Sequence, residues 1–423
     1  MIANTPQKNL AAVLFLTVFL TACGGGGGGG GDSNSNSPSN DSPNEPSKDA
    51  ISEPVTSDPI MSPPVTTVID KDDETSTDDT PANDNTVATE NNPQAALSAN
   101  NQFSLARTSC GLSGLSVDTA LDDVAIKHAN YIKYVFANST PTSFNAHIEK
   151  EVSDIASVTG PNNPYFGGLD FSDRLLNATY RNAQYGATEN IAQSVYFNSA
   201  GSFLKADVVA VSMAKSLLAA PYHLRSLMLP SSSLIGTGMV NYKPHNKSVT
   251  TNQGYVLVSH ASATQATRDT TVSGVFTYPC EGVTGTVTAL YNESPSPVKG
   301  TGRDLRTNPI GQPVYISMPS ASKIKVSNIK FRDTQRNMNV PIQLIDFDND
   351  PYVNTNYALP ANEAFILPLT DALKSCEVER AANQSQQCGL YGNTKYQVSF
   401  DILVDNKNLE SKAFTFTTGK VNY

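Results

Sequence analysis

A mixed α/β unit followed by an all-β sandwich is the fold class this sequence predicts, and three observations carry it. Leu121, Val124, Ala125, His128, Ile132 and Val135 recur at three- and four-residue steps, the spacing of one helix face. Short β-type runs, Ile235 to Val240 and Tyr255 to Val258, come later in the same region. Beyond about Val272 the helical period disappears, and short alternating runs separated by turn-rich stretches replace it, as in an antiparallel sandwich.

The chain opens with Lys8 and an apolar run from Leu10 to Leu20, shorter than the roughly 20 residues a bilayer crossing needs. A short apolar core ending in small residues reads as an export signal over residues 1–22. Leu20-Thr21-Ala22-Cys23 resembles the bacterial lipobox, which implies that Cys23 is the acylated first residue of the mature chain. The plainer alternative is a secretory signal with an incidental cysteine. Several acyl chains would give stable anchoring. Gly24 stands where an Asp would resemble an inner-membrane retention signal, so the expected location is the outer membrane, with the folded part in the periplasm or at the cell surface.

Residues 23–101 are expected to hold the lipidated Cys and a disordered tether. Gly24 to Gly31 is an unbroken glycine run, and Ser, Asn, Pro, Asp and Thr dominate the stretch after Gly31. From Gly24 to Asn100 there are 14 acidic and two basic residues, so the tether accounts for the net charge of −10 and the rest of the chain is near neutral. Like charges stretch such a linker. Its extended limit is about 250 Å at about 3.3 Å per residue. With no basic cluster in the remainder, nucleic-acid binding is excluded on charge grounds.

The expected folded regions are residues 102–268 and 269–423. In the first, Asp118 is placed to cap the helix carrying Leu121 to Val135, and Asp122 suits its first turn. A second helix is expected from Ser202 to Ala219, stopping before Pro221. In the second, the strand candidates are Val314 to Met318, Ile324 to Phe331, Pro341 to Ile345, Tyr396 to Leu403 and Ala413 to Thr417. This sandwich resembles an immunoglobulin-like accessory domain. Setting Cys23 aside leaves four cysteines in an oxidising compartment. Cys376 and Cys388 are close enough to close a surface loop, and Cys110 and Cys280 are left over. A bridge between that second pair would pin the two regions together, but the sequence leaves their pairing open.

The chemistry-bearing motifs are sparse. Gly-x-Ser-x-Gly, His-Glu-x-x-His and a phosphate loop ending in Lys-Ser/Thr do not occur. Asp346, Asp348 and Asp350 alternate like the start of a calcium loop, but Pro351 and Tyr357 occupy positions that need Gly and an acid, so a solvated acidic turn is expected.

Several weaker pieces occur in a telling order. Arg107 with Gly111-Leu112 precedes the helix carrying His128-Ala129. Next come His147, Asp173-Arg174, Tyr185-Gly186, Glu189-Asn190-Ile191, Pro221-Tyr222-His223-Leu224-Arg225 and Ile235-Gly236-Thr237-Gly238. The set resembles the CAP superfamily (cysteine-rich secretory proteins, antigen 5 and pathogenesis-related 1), in its bacterial SCP-like branch. The resemblance implies a three-layer α-β-α sandwich with His147, Glu189 and His223 together in a cleft, supported by Glu149 and Asn190. Departures from the family include the absent second Glu on the helix before His223, Leu217 in place of Trp, and Tyr222 in place of Gly. Glu149 is a candidate substitute for the missing acid.

Two neutral histidines and a carboxylate would suit zinc or another divalent metal. No nucleophile accompanies them, so no catalytic residue is assigned. His128 and His260 are expected to be structural, and Arg174 and Arg225 to hold loops. The expected function is an envelope-anchored binding module for a lipid or a protein partner. The alternatives are a metal-assisted hydrolase and an inert structural or adhesion protein.

Overall fold

Asp118 caps the long helix as its sequence requires: its carboxylate accepts from the N–H groups of Ala120 and Leu121, satisfying two orphan donors at the start of α2 (Thr119–Asn138). The computed structural model describes residues 15–23, for backbone only, 89–370 and 389–421. The expected tether up to residue 88, and the pairing of Cys376 with Cys388, lie outside the described residues.

Around α2 the order is β1 (Phe15–Cys23), α1 (Pro93–Ser109), β2 (Ser116–Val117), α2, α3 (Phe171–Asn177), β3 (Ala187–Phe197), α4 (Ala206–Leu217), α5 (Pro221–Leu227), β4 (Ser232–Tyr242) and β5 (Asn252–Ala263). The sheet runs β1-β3-β5-β4-β2. Helix α1 starts inside the stretch expected to be tether. Asn92 caps it and Pro93 takes its first position, and its buried face is mostly alanine (Ala95, Ala96, Ala99 and Ala106) with Phe103, too weak an apolar signal to read as a helix. The helix expected from Ser202 to Ala219 is shorter, and a further helix starts at Pro221, where proline suits the first helical position. The backbone of Phe15–Cys23, expected as part of the export signal, runs antiparallel to β3 with Cys23 opposite Glu189.

Strand alternation makes three layers. Ile191 on β3, Val240 on β4 and Val256 and Val258 on β5 pack against α2 residues Ala125, Ala129 and Ile132. Their neighbours Ala192, Met239 and Leu257 face α1, α4 and α5 on the other side. Gly236 and Gly238 let α2 approach β4 closely: a Cβ on Gly238 would lie 2.6 Å from the Ala125 carbonyl oxygen.

The second region contains β6 (Phe276–Tyr278), β7 (Thr284–Thr286), β8 (Val314–Ser317), β9 (Ile324–Asp333), β10 (Met338–Asn339), β11 (Ile342–Asp346), β12 (Glu363–Pro368), β13 (Lys395–Val404) and β14 (Asn408–Thr418). They form two sheets, β10-β9-β13-β14-β7 and β11-β12-β8-β6, so the β-sandwich expectation holds. Val314, Ile316, Ala364 and Ile366 face the sandwich core with Phe331, Phe400 and Phe416. The alternate residues Tyr315, Phe365 and Leu367 join the core that contains Leu224 and Leu227 of α5. The smaller sheet is therefore buried on both faces, and β12 reads as an apolar run without alternation.

Both regions belong to one compact unit. The Cys110–Cys280 disulfide joins them, with the two Cα atoms 5.6 Å apart. Gln312 Nε2 donates to the Leu218 carbonyl at 2.9 Å across the same seam. The acidic turn departs from the solvated expectation: Asp346 and Asp350 are buried, and Asp350 accepts the N–H groups of Tyr352 and Leu359. Among the described residues, no helix is long and apolar enough to cross a membrane.

Candidate functional site

Glu189 points from β3 into the layer of α2 and α3, and four hydrogen bonds converge on its carboxylate. Arg174 Nη2 donates to both oxygens, at 2.8 and 2.7 Å. His147 Nδ1 lies 2.8 Å from Oε1, and His260 Nε2 lies 3.0 Å from Oε2. Arg174 comes from α3, which Asp170 caps by accepting the Asp173 N–H. His147 sits in the loop after α2, where Asn145 Oδ1 accepts its N–H, and the Arg174 guanidinium also donates to its carbonyl. His260 reaches Glu189 because antiparallel pairing sets the two residues opposite each other on β5 and β3.

A second acid completes the cluster. His128 Nδ1 stands 2.6 Å from Glu149 Oε1, and its Nε2 stands 2.8 Å from the Ala146 carbonyl. A carbonyl only accepts, so His128 Nε2 donates to Ala146. Glu149 Oε2 also accepts the Gly167 N–H at 2.6 Å, in a turn where Gly168 takes a φ of 151°. All these side chains are buried. Burial alone would raise the Glu189 pKa, but the Arg174 guanidinium, His128 and the His147 and His260 hydrogen bonds hold it well below the usual carboxylate range. Burial lowers the pKa of His260, which therefore donates through Nε2 as a neutral ring while Phe171 covers it at 4.6 Å between centroids.

The sequence-predicted residues are divided by the sheet. His147 and Glu189 meet on the α2 side. Asn190, one residue along β3, faces the other way, and its Oδ1 accepts from Ser226 of α5 at 2.7 Å. His223 lies on that same short helix. Its Nδ1 is 3.3 Å from Glu293 Oε1, an acid from the second region. Glu293 also accepts the Tyr222 N–H at 2.8 Å, so it serves as the cap that Ala220 does not provide. Burial raises the Glu293 pKa well above the usual range, against the lowering effect of hydrogen bonds from the Tyr222 and His223 backbone. Glu149 serves the cluster through His128. Arg225 ties α5 to β12 through Glu363, with Nε 2.5 Å from Oε2.

Arg174, His128, His260 and Glu293 are the residues that sequence reasoning assigned no place in a site. The one signal for His260 is its register with Glu189, which becomes visible only once both strands are aligned.

The arrangement does not fit a divalent ion at Glu189. A carboxylate offers about four lone-pair positions, and four hydrogen bonds from three donors already use them. One of those donors is a cation. Among the described residues, no group of three or more His, Cys, Asp or Glu could hold a metal.

Beside the cluster is an open apolar groove of about 320 Å³, lined by Phe171, Leu175, Leu176, Tyr180, Ala183 and Ala187 among others. Leu176 on its rim is 74% exposed.

The first region is thus a helix–sheet–helix sandwich with a His- and Glu-bearing cluster beside β3. The model of the cysteine-rich secretory protein family (CAP) matches residues 100–260. Residues 100–260 are thus similar to a CAP domain, a general binding or interaction module, and a β-sandwich region follows them. No curated protein matches the chain.

Proposed function

We propose that the chain is an envelope-anchored lipoprotein whose CAP domain binds an apolar, lipid-class ligand in the groove over α3. One observation carries this reading: the polar groups of the cluster are buried and engaged, whereas the concavity beside them is open and lined with apolar side chains. Its volume is at the lower end of small-molecule sites, which run from about 300 Å³ upward. That suits part of an acyl chain or ring system better than a whole lipid. A hydrolytic role draws no support from this arrangement, because Glu189 is saturated and His260 is covered by Phe171.

The anchoring half of the proposal rests on Leu20-Thr21-Ala22-Cys23 and the acidic, glycine-rich stretch after it. Processing ahead of Cys23 removes residues 15–22 and leaves β3 at the edge of the sheet. A labelled fatty acid is expected to enter wild-type protein and not Cys23→Ser. Titration of the delipidated full chain with a fluorescent fatty acid tests the groove. Saturable binding, weakened by up to about tenfold by Leu176→Glu, supports the proposal, since losing the apolar contact of the rim and setting a charge against an apolar ligand is worth up to about 1.4 kcal/mol. No binding by wild type, or equal binding by the variant, rejects it.

A further inference from the structure

We infer that Arg174 is the resident cation of the Glu189 cluster and occupies the place a divalent metal would need. The inference is independent of what the groove binds. It starts from the disagreement between a His- and Glu-bearing cleft and a carboxylate with no lone pair to spare.

Three observations support it. First, the guanidinium is seated on the carboxylate, with Nη2 at 2.7 and 2.8 Å from its two oxygens. Second, the same guanidinium donates to the His147 carbonyl, so one side chain holds α3, β3 and the loop after α2 together. A metal ion bridging histidine and carboxylate would provide the same cross-link. Third, a cation already faces both buried acids. Arg174 pairs with Glu189 at 2.7 Å and lies 3.8 Å from Glu149 in a buried space. A divalent ion added there would set more positive charge against the guanidinium in a low-dielectric interior, which is strongly unfavourable.

The histidines around Glu189 are nevertheless of the type that binds zinc. His147 Nδ1 and His260 Nε2 converge on the carboxylate from different elements. Removing the guanidinium frees lone pairs on the Glu189 carboxylate, beside two imidazoles of the type zinc accepts. Arg174 is then what keeps the cluster free of metal.

The experiment uses the full chain as wild type, Arg174→Ala and Arg174→Lys, with zinc as the probe. Metal content is measured after equilibration and gel filtration, and thermal melts are recorded with zinc or with a chelator. Wild type is expected to retain no stoichiometric zinc and to melt at the same temperature in both conditions. Arg174→Ala is expected to melt lower than wild type, to take up zinc and to regain part of the lost melting temperature. Arg174→Lys, which keeps a cation, is expected to take up none. Adding Glu189→Gln to Arg174→Ala should abolish the uptake.

Stoichiometric zinc in wild type that is lost in Glu189→Gln overturns the inference, as does an Arg174→Ala protein that folds and ignores zinc. If Arg174→Ala does not fold alone, refolding it with and without zinc gives the same decision: rescue by zinc supports the inference, and no rescue counts against it.

Discussion

Arg107 shows how much one side chain contributes here. Its guanidinium is fully buried and donates to the carbonyls of Ser113, Leu227, Leu229 and Ser232, at 2.7 to 2.9 Å. It thereby stitches α1 to the segment between α5 and β4. Burial pushes its pKa down to about 10, so it stays charged at neutral pH. Arg107→Met leaves four carbonyls without their donor, and a loss of about 3 to 5 kcal/mol is expected in urea unfolding at pH 7. The titrating residues act in opposite directions. His260 is held neutral, so its contribution is full above about pH 6.5 and is lost as the pH falls below that value. The depressed pKa of Glu189 stabilises above the ordinary carboxylate range and is lost only on acidification through its own low value. Glu293 is raised, so its contribution is full below about pH 4.5 and is lost as the pH rises through the folded value. Glu293→Gln keeps the acceptor for the Tyr222 N–H and removes the titration. Relative to wild type, it should gain stability above pH 4.5 by up to about 1.4 kcal/mol per pH unit, read from thermal melts between pH 4 and 8.

At the scale of the elements, the closest contact is between α2 and β4. Gly236 and Gly238 both face the helix, and a Cβ on Gly236 would come within 2.2 Å of the Leu121 carbonyl carbon. The short Gly-x-Gly in Ile235-Gly236-Thr237-Gly238 is therefore a packing requirement, and nothing in its contacts calls for a phosphate or other ligand. Gly238→Ala should push α2 off the sheet at a cost of about 3 kcal/mol or more, measured as a fall in the unfolding midpoint. Helix α5 depends equally on its surroundings. It is seven residues long and its own cap residue makes no side-chain bond. An acid from the second region caps it, and Arg225 anchors it to β12. Such a short helix is stable only through its tertiary contacts.

For the molecule as a whole, the two regions share a core. Leu224, Leu227 and Met228 lie in one apolar cluster with Phe276, Leu290, Ile310, Tyr315, Phe365 and Leu367. Cutting the chain after residue 268 would expose that face and remove Glu293 from α5. The truncated protein is expected to aggregate or to lose its cooperative transition, while the full chain unfolds in a single step by calorimetry. The Cys110–Cys280 bridge spans 170 residues, for which the chain-entropy model gives about 5 kcal/mol. Replacing both cysteines with serine should lower the unfolding free energy by up to that amount, with the fold retained because the shared core remains.

The sequence by itself determined the class of fold. The periodicity of α2, the Asp118 cap, the alternation in β9, β13 and β14, and the ordered pieces from Arg107 to Gly238 all express local chemistry or spacing along the chain. It also contained His147, Glu189 and Glu149, although not their partners. Tertiary structure alone decided the site. Alternation along β3 sends Glu189 to one face and Asn190 to the other, and pairing with β5 brings in His260. Helix α3 supplies a guanidinium where an ion was expected, and His223 finds its acid 70 residues away in the second region. These are contacts between groups distant in sequence, fixed by strand register and by the need to pair every buried charge, and local patterns carry no record of either.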